Sequence, residues 1–123
     1  MAQDFERAVA FDSAGDVNIG TTARTVITSN SDDAVIGIRL TNITTATIKA
    51  DVYITSSASG SSADSYIVKG APIAAGGSLE LIDGGAKIVL LSGDALKAKS
   101  DTDASLNVWV SFIDSISIYF FFF

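Results

Sequence analysis

Apolar and polar side chains alternate with a period of two along much of this chain. In SLNVWVSFI, Leu106, Val108, Val110 and Phe112 fall on one face, and Asn107, Trp109, Ser111 and Ile113 on the other. That is the pattern of a strand with one side turned to a core. Ile36, Ile38 and Leu40 repeat it against Val35, Gly37 and Arg39. Ile48, Ala50, Val52 and Ile54 repeat it against Lys49, Asp51, Tyr53 and Thr55. NITTAT lies between these two runs, and its β-branched threonines suit extended backbone, so the pair reads as a hairpin closed by a turn or bulge.

Further along, GAP, AAGG, DGG and SGD divide the apolar runs after Tyr66 into several short strands. Pro72 has no amide to donate, which places it at an edge or a strand start. SSASGSSADS, Ser56 to Ser65, holds too little apolar surface for a core element and reads as an exposed loop. FERAVAF near the start reads as an arm or edge strand, and VNIGTTARTVITS as a second β-rich region. About eight short strands predict an all-β fold of two packed antiparallel sheets, with a barrel as the alternative. The expected division is residues 1–16 as arm or edge strand, 17–118 as the β-sandwich and 119–123 as an aromatic tail.

Composition sharpens this picture. A chain of 123 residues, 48% hydrophobic and 18% charged, has the core of one domain and lacks the signature of disorder. The net charge is -6, and the basic residues are scattered at Arg7, Arg24, Arg39, Lys49, Lys69, Lys87, Lys97 and Lys99. Nucleic acid is therefore not expected as a partner, although a folded surface can gather distant charges. Residues 1–20 lack a signal-peptide pattern, and the C-terminal apolar stretch is too short to span a bilayer, so no membrane role is expected.

Histidine and cysteine are absent. The chain cannot supply a Ser-His-Asp triad, a Cys-His pair, a disulfide or a His-Cys zinc shell. No enzyme activity and no cofactor are expected, since carboxylate-only hydrolysis would need a geometry that sequence proximity does not provide. Asp101 and Asp103 with Asp94 offer oxygen ligands for calcium, but without EF-hand spacing, so a solvated acidic turn is the simpler reading. Asp32 and Asp33 stand the same way.

The end of the chain is IYFFFF. Phe120, Phe121, Phe122 and Phe123, approached through Ile116, Ile118 and Tyr119, carry aromatic surface that gains by burial against a neighbour. An interchain anchor is the expectation, with an intramolecular clasp over one end of the domain as the alternative.

YIVKGAPIAAGGSLELIDGGAKIVLLSGDALKAKS, Tyr66 to Ser100, resembles small structural proteins of tailed-bacteriophage particles. TNITTATIKADVYIT before it and ASLNVWVSFI after it extend the resemblance over roughly residues 20–118. The resemblance implies a β-sandwich or jelly-roll-like module used in capsid decoration, at a neck or in a fibre. GAPIAAGGSLEL is similar to the edge strand, turn and returning strand of that family, and LLSGDALKAKS to a second such turn. It further implies a noncatalytic virion protein, most simply a decoration or cement protein on the outer capsid surface. Its partners would be the major capsid protein or other virion proteins, and symmetric repetition makes a homo-oligomer, specifically a trimer, the expected state. A neck or fibre adaptor is one alternative. A host-surface glycan-binding module is another, for which Tyr53, Tyr66 and Trp109 are candidate contacts, each with a packing role as its simpler explanation.

Overall fold

The computed structural model describes residues 4–56, 63–82 and 87–115. They form nine strands and no helix: β1 Asp4–Val9, β2 Arg24–Thr28, β3 Asp33–Asn42, β4 Ile48–Ser56, β5 Ala63–Ile73, β6 Ser78–Glu80, β7 Ile88–Leu90, β8 Ala95–Ser100 and β9 Leu106–Asp114. The first sheet has the order β1-β9-β3-β6, with β7 also on β3, and the second the order β2-β8-β4-β5. Every pairing is antiparallel.

β6 pairs with Arg39–Thr41 and β7 with Asp33–Val35, so the two are halves of one interrupted edge strand on β3. Counted that way, eight strand positions pair first with last and second with second-last, ending in the β4–β5 hairpin. This is a long hairpin rolled into two sheets, the topology of a jelly roll. The expected β-sandwich is therefore present. β1 belongs to it, with six residues of regular pairing to β9.

The core lies between the sheets. Leu106, Val108, Val110 and Phe112 on β9 face Ile48, Ala50 and Val52 on β4 and Leu96 and Ala98 on β8, in one cluster with Ile38 and Leu40 of β3. Burial of each large aliphatic side chain contributes about 1.5 to 3 kcal/mol before chain entropy is counted.

Three expectations need correction. Val35 does not face away from Ile38 and Leu40. The β3–β9 register shifts between Val35 and Gly37, so Val35 is fully buried and Ile36 sits in the bulge. An extra residue on one strand moves the following side chains to the opposite face. Nor do β3 and β4 form a hairpin, because they lie in different sheets. The crossing is fixed by Asn42, which is fully buried and donates through Nδ2 to the carbonyls of Ala46, Ile73 and Ala74 at 2.8, 2.9 and 3.2 Å. Its Oδ1 accepts from the Thr44 amide at 2.9 Å. Ser56 and residues 63–65, expected in an exposed loop, belong instead to β4 and β5.

β5 is an edge strand, as Pro72 implied. Its ladder is interrupted by register shifts, and Gly70 takes a φ of 66° with its amide on Asp51 Oδ1 at 2.7 Å. A bulge, a proline and a lysine along one edge oppose the addition of a further strand.

Candidate functional surfaces

The outward face of the first sheet is set by the burial of its alternate residues. Cross-strand register places Val9, Trp109, Arg39 and Glu80 in one row, and Phe5, Ile113, Ala34 and Val89 in another. Between them run Arg7, Ser111 and Gly37. Phe5 is 66% exposed, Val89 52% and Trp109 51%, so one sheet face carries three large apolar groups into solvent. The Arg39 Nε lies 3.4 Å from Glu80 Oε1, and Glu80 Oε2 accepts from the Ile38 amide at 3.0 Å.

A shallow open cleft of about 200 Å³ lies among Gly37, Arg39, Glu80, Trp109 and Ser111. Gly37 and Ser111 keep its floor low. An added Cβ at Gly37 would meet Glu80 Oε2 at 3.6 Å. The cleft offers an indole face and a guanidinium beside a carboxylate already engaged by backbone, which suits contact and hydrogen bonding more than proton transfer.

The second sheet has a different outer face. Tyr53 and Tyr66 are paired across β4 and β5, with ring centroids 4.9 Å apart and planes tilted by 36°. Tyr53 is buried and Tyr66 is 41% exposed, with Lys69 Nζ 4.4 Å from the centre of the Tyr66 ring. Burial, reinforced by the nearby Asp64 and Asp51 carboxylates, pushes the Tyr53 phenol above its ordinary value. Trp109 lies on the other sheet, so the three aromatic residues proposed for a glycan do not converge. Tyr53 and Tyr66 meet and Trp109 stands apart.

Of the acidic residues considered for calcium, Asp33, Asp94 and Asp101 are occupied structurally. Asp94 accepts from the Leu91 amide before β8, whereas Asp101 accepts from the Lys49 amide after it, each at 3.0 Å. The length of β8, about 20 Å, separates Asp94 from Asp101 and Asp103, so these three cannot share one calcium ion. Asp33 is buried and accepts from Ser29 Oγ, Ser31 Oγ and the Ser115 amide at 3.0, 3.2 and 3.1 Å. Ser31 also reaches Asp114 at 3.2 Å, which pins the end of β9 to the segment before β3. No cluster of three potential metal ligands occurs among the described residues. Ile116, Ile118, Tyr119 and Phe120 to Phe123 lie outside the described residues.

Sequence reasoning singled out Trp109 but not its neighbours Arg7, Arg39 and Glu80, which only strand register brings beside it. Compared with protein-family models, curated proteins and solved structures, the chain matches none.

Proposed function

We propose that this protein is a noncatalytic structural subunit of a tailed-bacteriophage particle. In this role it decorates or cements the outer capsid surface, binds neighbouring shell subunits and works as a homo-oligomer, most simply a trimer. The observation that carries the proposal is the outer face of the first sheet, where Phe5, Val89 and Trp109 are all more than half exposed. Covering the exposed half or more of each such group contributes about 1 to 2 kcal/mol before ordering costs, which an isolated domain forgoes and an assembled one gains. Aromatic anchors ringed by polar groups are also the usual composition of an interface centre. The resemblance over residues 20–118 and the jelly-roll order agree with a shell role, although a fold alone assigns no function.

In this proposal the aromatic tail, Phe120 to Phe123, is a further interchain anchor. The test is a reconstruction of the intact particle at side-chain resolution. Density for the chain between capsid subunits, with Phe5 and Trp109 covered, is the expected result. Density at the neck or a fibre would overturn the shell placement, and absence from every purified particle would overturn the virion role.

A further inference from the structure

Four of the eight basic residues, scattered in sequence, meet on the outer face of the second sheet. Lys97 and Lys99 alternate with the buried Leu96, Ala98 and Ser100 of β8, and Lys49 lies between the buried Ile48 and Ala50 of β4. These neighbours point inward, so the lysines point out. Lys97 pairs directly with Tyr53, and Lys69 lies over Tyr66. Three carboxylates share the face or border it, with Asp101 accepting from the Lys49 amide at 3.0 Å. Asp51 is 3.9 Å from Lys99 Nζ, and Asp64 accepts from Thr55 Oγ1 at 2.9 Å. The face thus has an excess of positive charge on a chain whose net charge is -6.

We infer that this face binds an acidic polysaccharide. Two observations select that chemistry. The lysine excess is complementary to a carboxylated or sulfated chain, and the half-exposed Tyr66 ring among the lysines offers an apolar plane to the face of a sugar ring. The lysines span about 10 Å across the strands and about 14 Å along them, which suits a run of sugar units better than a single one. Nucleic acid fits less well. Its affinity grows with the number of phosphates neutralised, and four lysines on an acidic chain neutralise few. Tyr53 is buried, so one tyrosine alone is free to stack.

The inference concerns the sheet opposite to the proposed assembly face, so either can fail without the other. The test passes the full chain over immobilised polygalacturonate and dextran sulfate, with neutral dextran and single-stranded DNA as comparisons, at low and high salt. Retention on one or both acidic polysaccharides is expected, and which one distinguishes carboxylate from sulfate recognition. The double variant Lys69→Gln, Lys97→Gln should abolish it. Tyr66→Ala should weaken it about tenfold, the scale of one aromatic contact. Arg7→Gln with Arg39→Gln, on the other sheet, should leave it unchanged. Matched thermal unfolding would confirm that the variants fold.

Equal retention on neutral dextran or tighter retention on DNA would overturn the inference. So would equal loss in the arginine double variant, or full retention by Tyr66→Ala, which would reduce the face to simple ion exchange.

Discussion

The guanidinium carbon of Arg7 stands 4.9 Å from the centre of the Trp109 ring, holding a half-exposed indole in place across the β1–β9 pair. The two residues are diagonal neighbours, since Arg7 pairs with Ser111 and Val9 with Trp109. An exposed cation-π contact of this kind is worth about 0.5 to 1 kcal/mol. Its larger effect is to present the ring in one orientation before any partner arrives, which lowers the ordering cost of binding.

Trp109→Ala should therefore separate folding from assembly. Urea unfolding should change by no more than about 1 kcal/mol, because the ring is outside the core. Self-association or shell binding, followed by sedimentation, should fall by about thirtyfold, the effect of removing an interface anchor worth about 2 kcal/mol. A large stability loss with unchanged association would assign Trp109 to intramolecular packing instead.

Asn42→Ala should be among the most damaging single polar substitutions. It leaves the carbonyls of Ala46, Ile73 and Ala74 without their shared donor, in a site with no access to solvent at Asn42 itself. A loss of about 3 kcal/mol is expected in chemical denaturation. Asn42→Asp should not rescue it, since the carboxylate replaces the donor with another acceptor. Recovery of full stability by the aspartate would show that the acceptor bond to Thr44 is what matters.

Two glycines should respond for different reasons. A Cβ at Gly20 would lie 3.0 Å from both the Ala104 amide nitrogen and Asp103 Cα, and backbone cannot rotate aside as a side chain can. Gly20→Ala should cost about 1 to 3 kcal/mol by overpacking. Gly15 has open space around it but a φ of +81°, so Gly15→Ala should cost about 1 kcal/mol through backbone strain alone. Thermal melts of the two variants would check the order. A smaller cost at Gly20 would mean that the 101–105 segment yields.

Acid should weaken the fold through two aspartates. The Lys49 amide, helped by the Thr102 hydroxyl and the Lys49 charge, holds the Asp101 carboxyl below its ordinary range. Asp114 is lowered chiefly by hydrogen bonding with Asp33, then by Ser31 and Ser115. A carboxylate with a lowered folded-state pKa stabilises the fold above its unfolded value, about 3.9, and loses that contribution as pH falls through the folded value. Urea midpoints should be flat from neutral pH to about 5 on this account and decline below about 4. The variant Asp101→Asn, Asp114→Asn should start lower and decline less steeply, whereas an unchanged acid slope would place the sensitivity elsewhere.

β9 was legible from sequence because a strand with one face buried must alternate, and Leu106 to Phe112 alternate without interruption. β3 was legible as a strand but not in its facing, since the bulge between Val35 and Gly37 costs one residue of register and leaves no local trace. The same limit hid the sheet change between β3 and β4. A turn-forming NITTAT suits a hairpin and a crossing equally, and the choice falls to Asn42 and to partners far along the chain.

The functional surfaces divide in the same way. Local alternation and residue chemistry determined the all-β character, the strands around the core and the interest of Trp109, Tyr53 and Tyr66, because side-chain direction within one strand repeats every two residues. Tertiary structure alone decided that Trp109 and the tyrosines lie on opposite sheets, that Arg7 and Arg39 flank the indole, and that Lys49, Lys69, Lys97 and Lys99 share one face. Those neighbours come from separate strands, and which strands pair is settled by the burial free energy of the whole core.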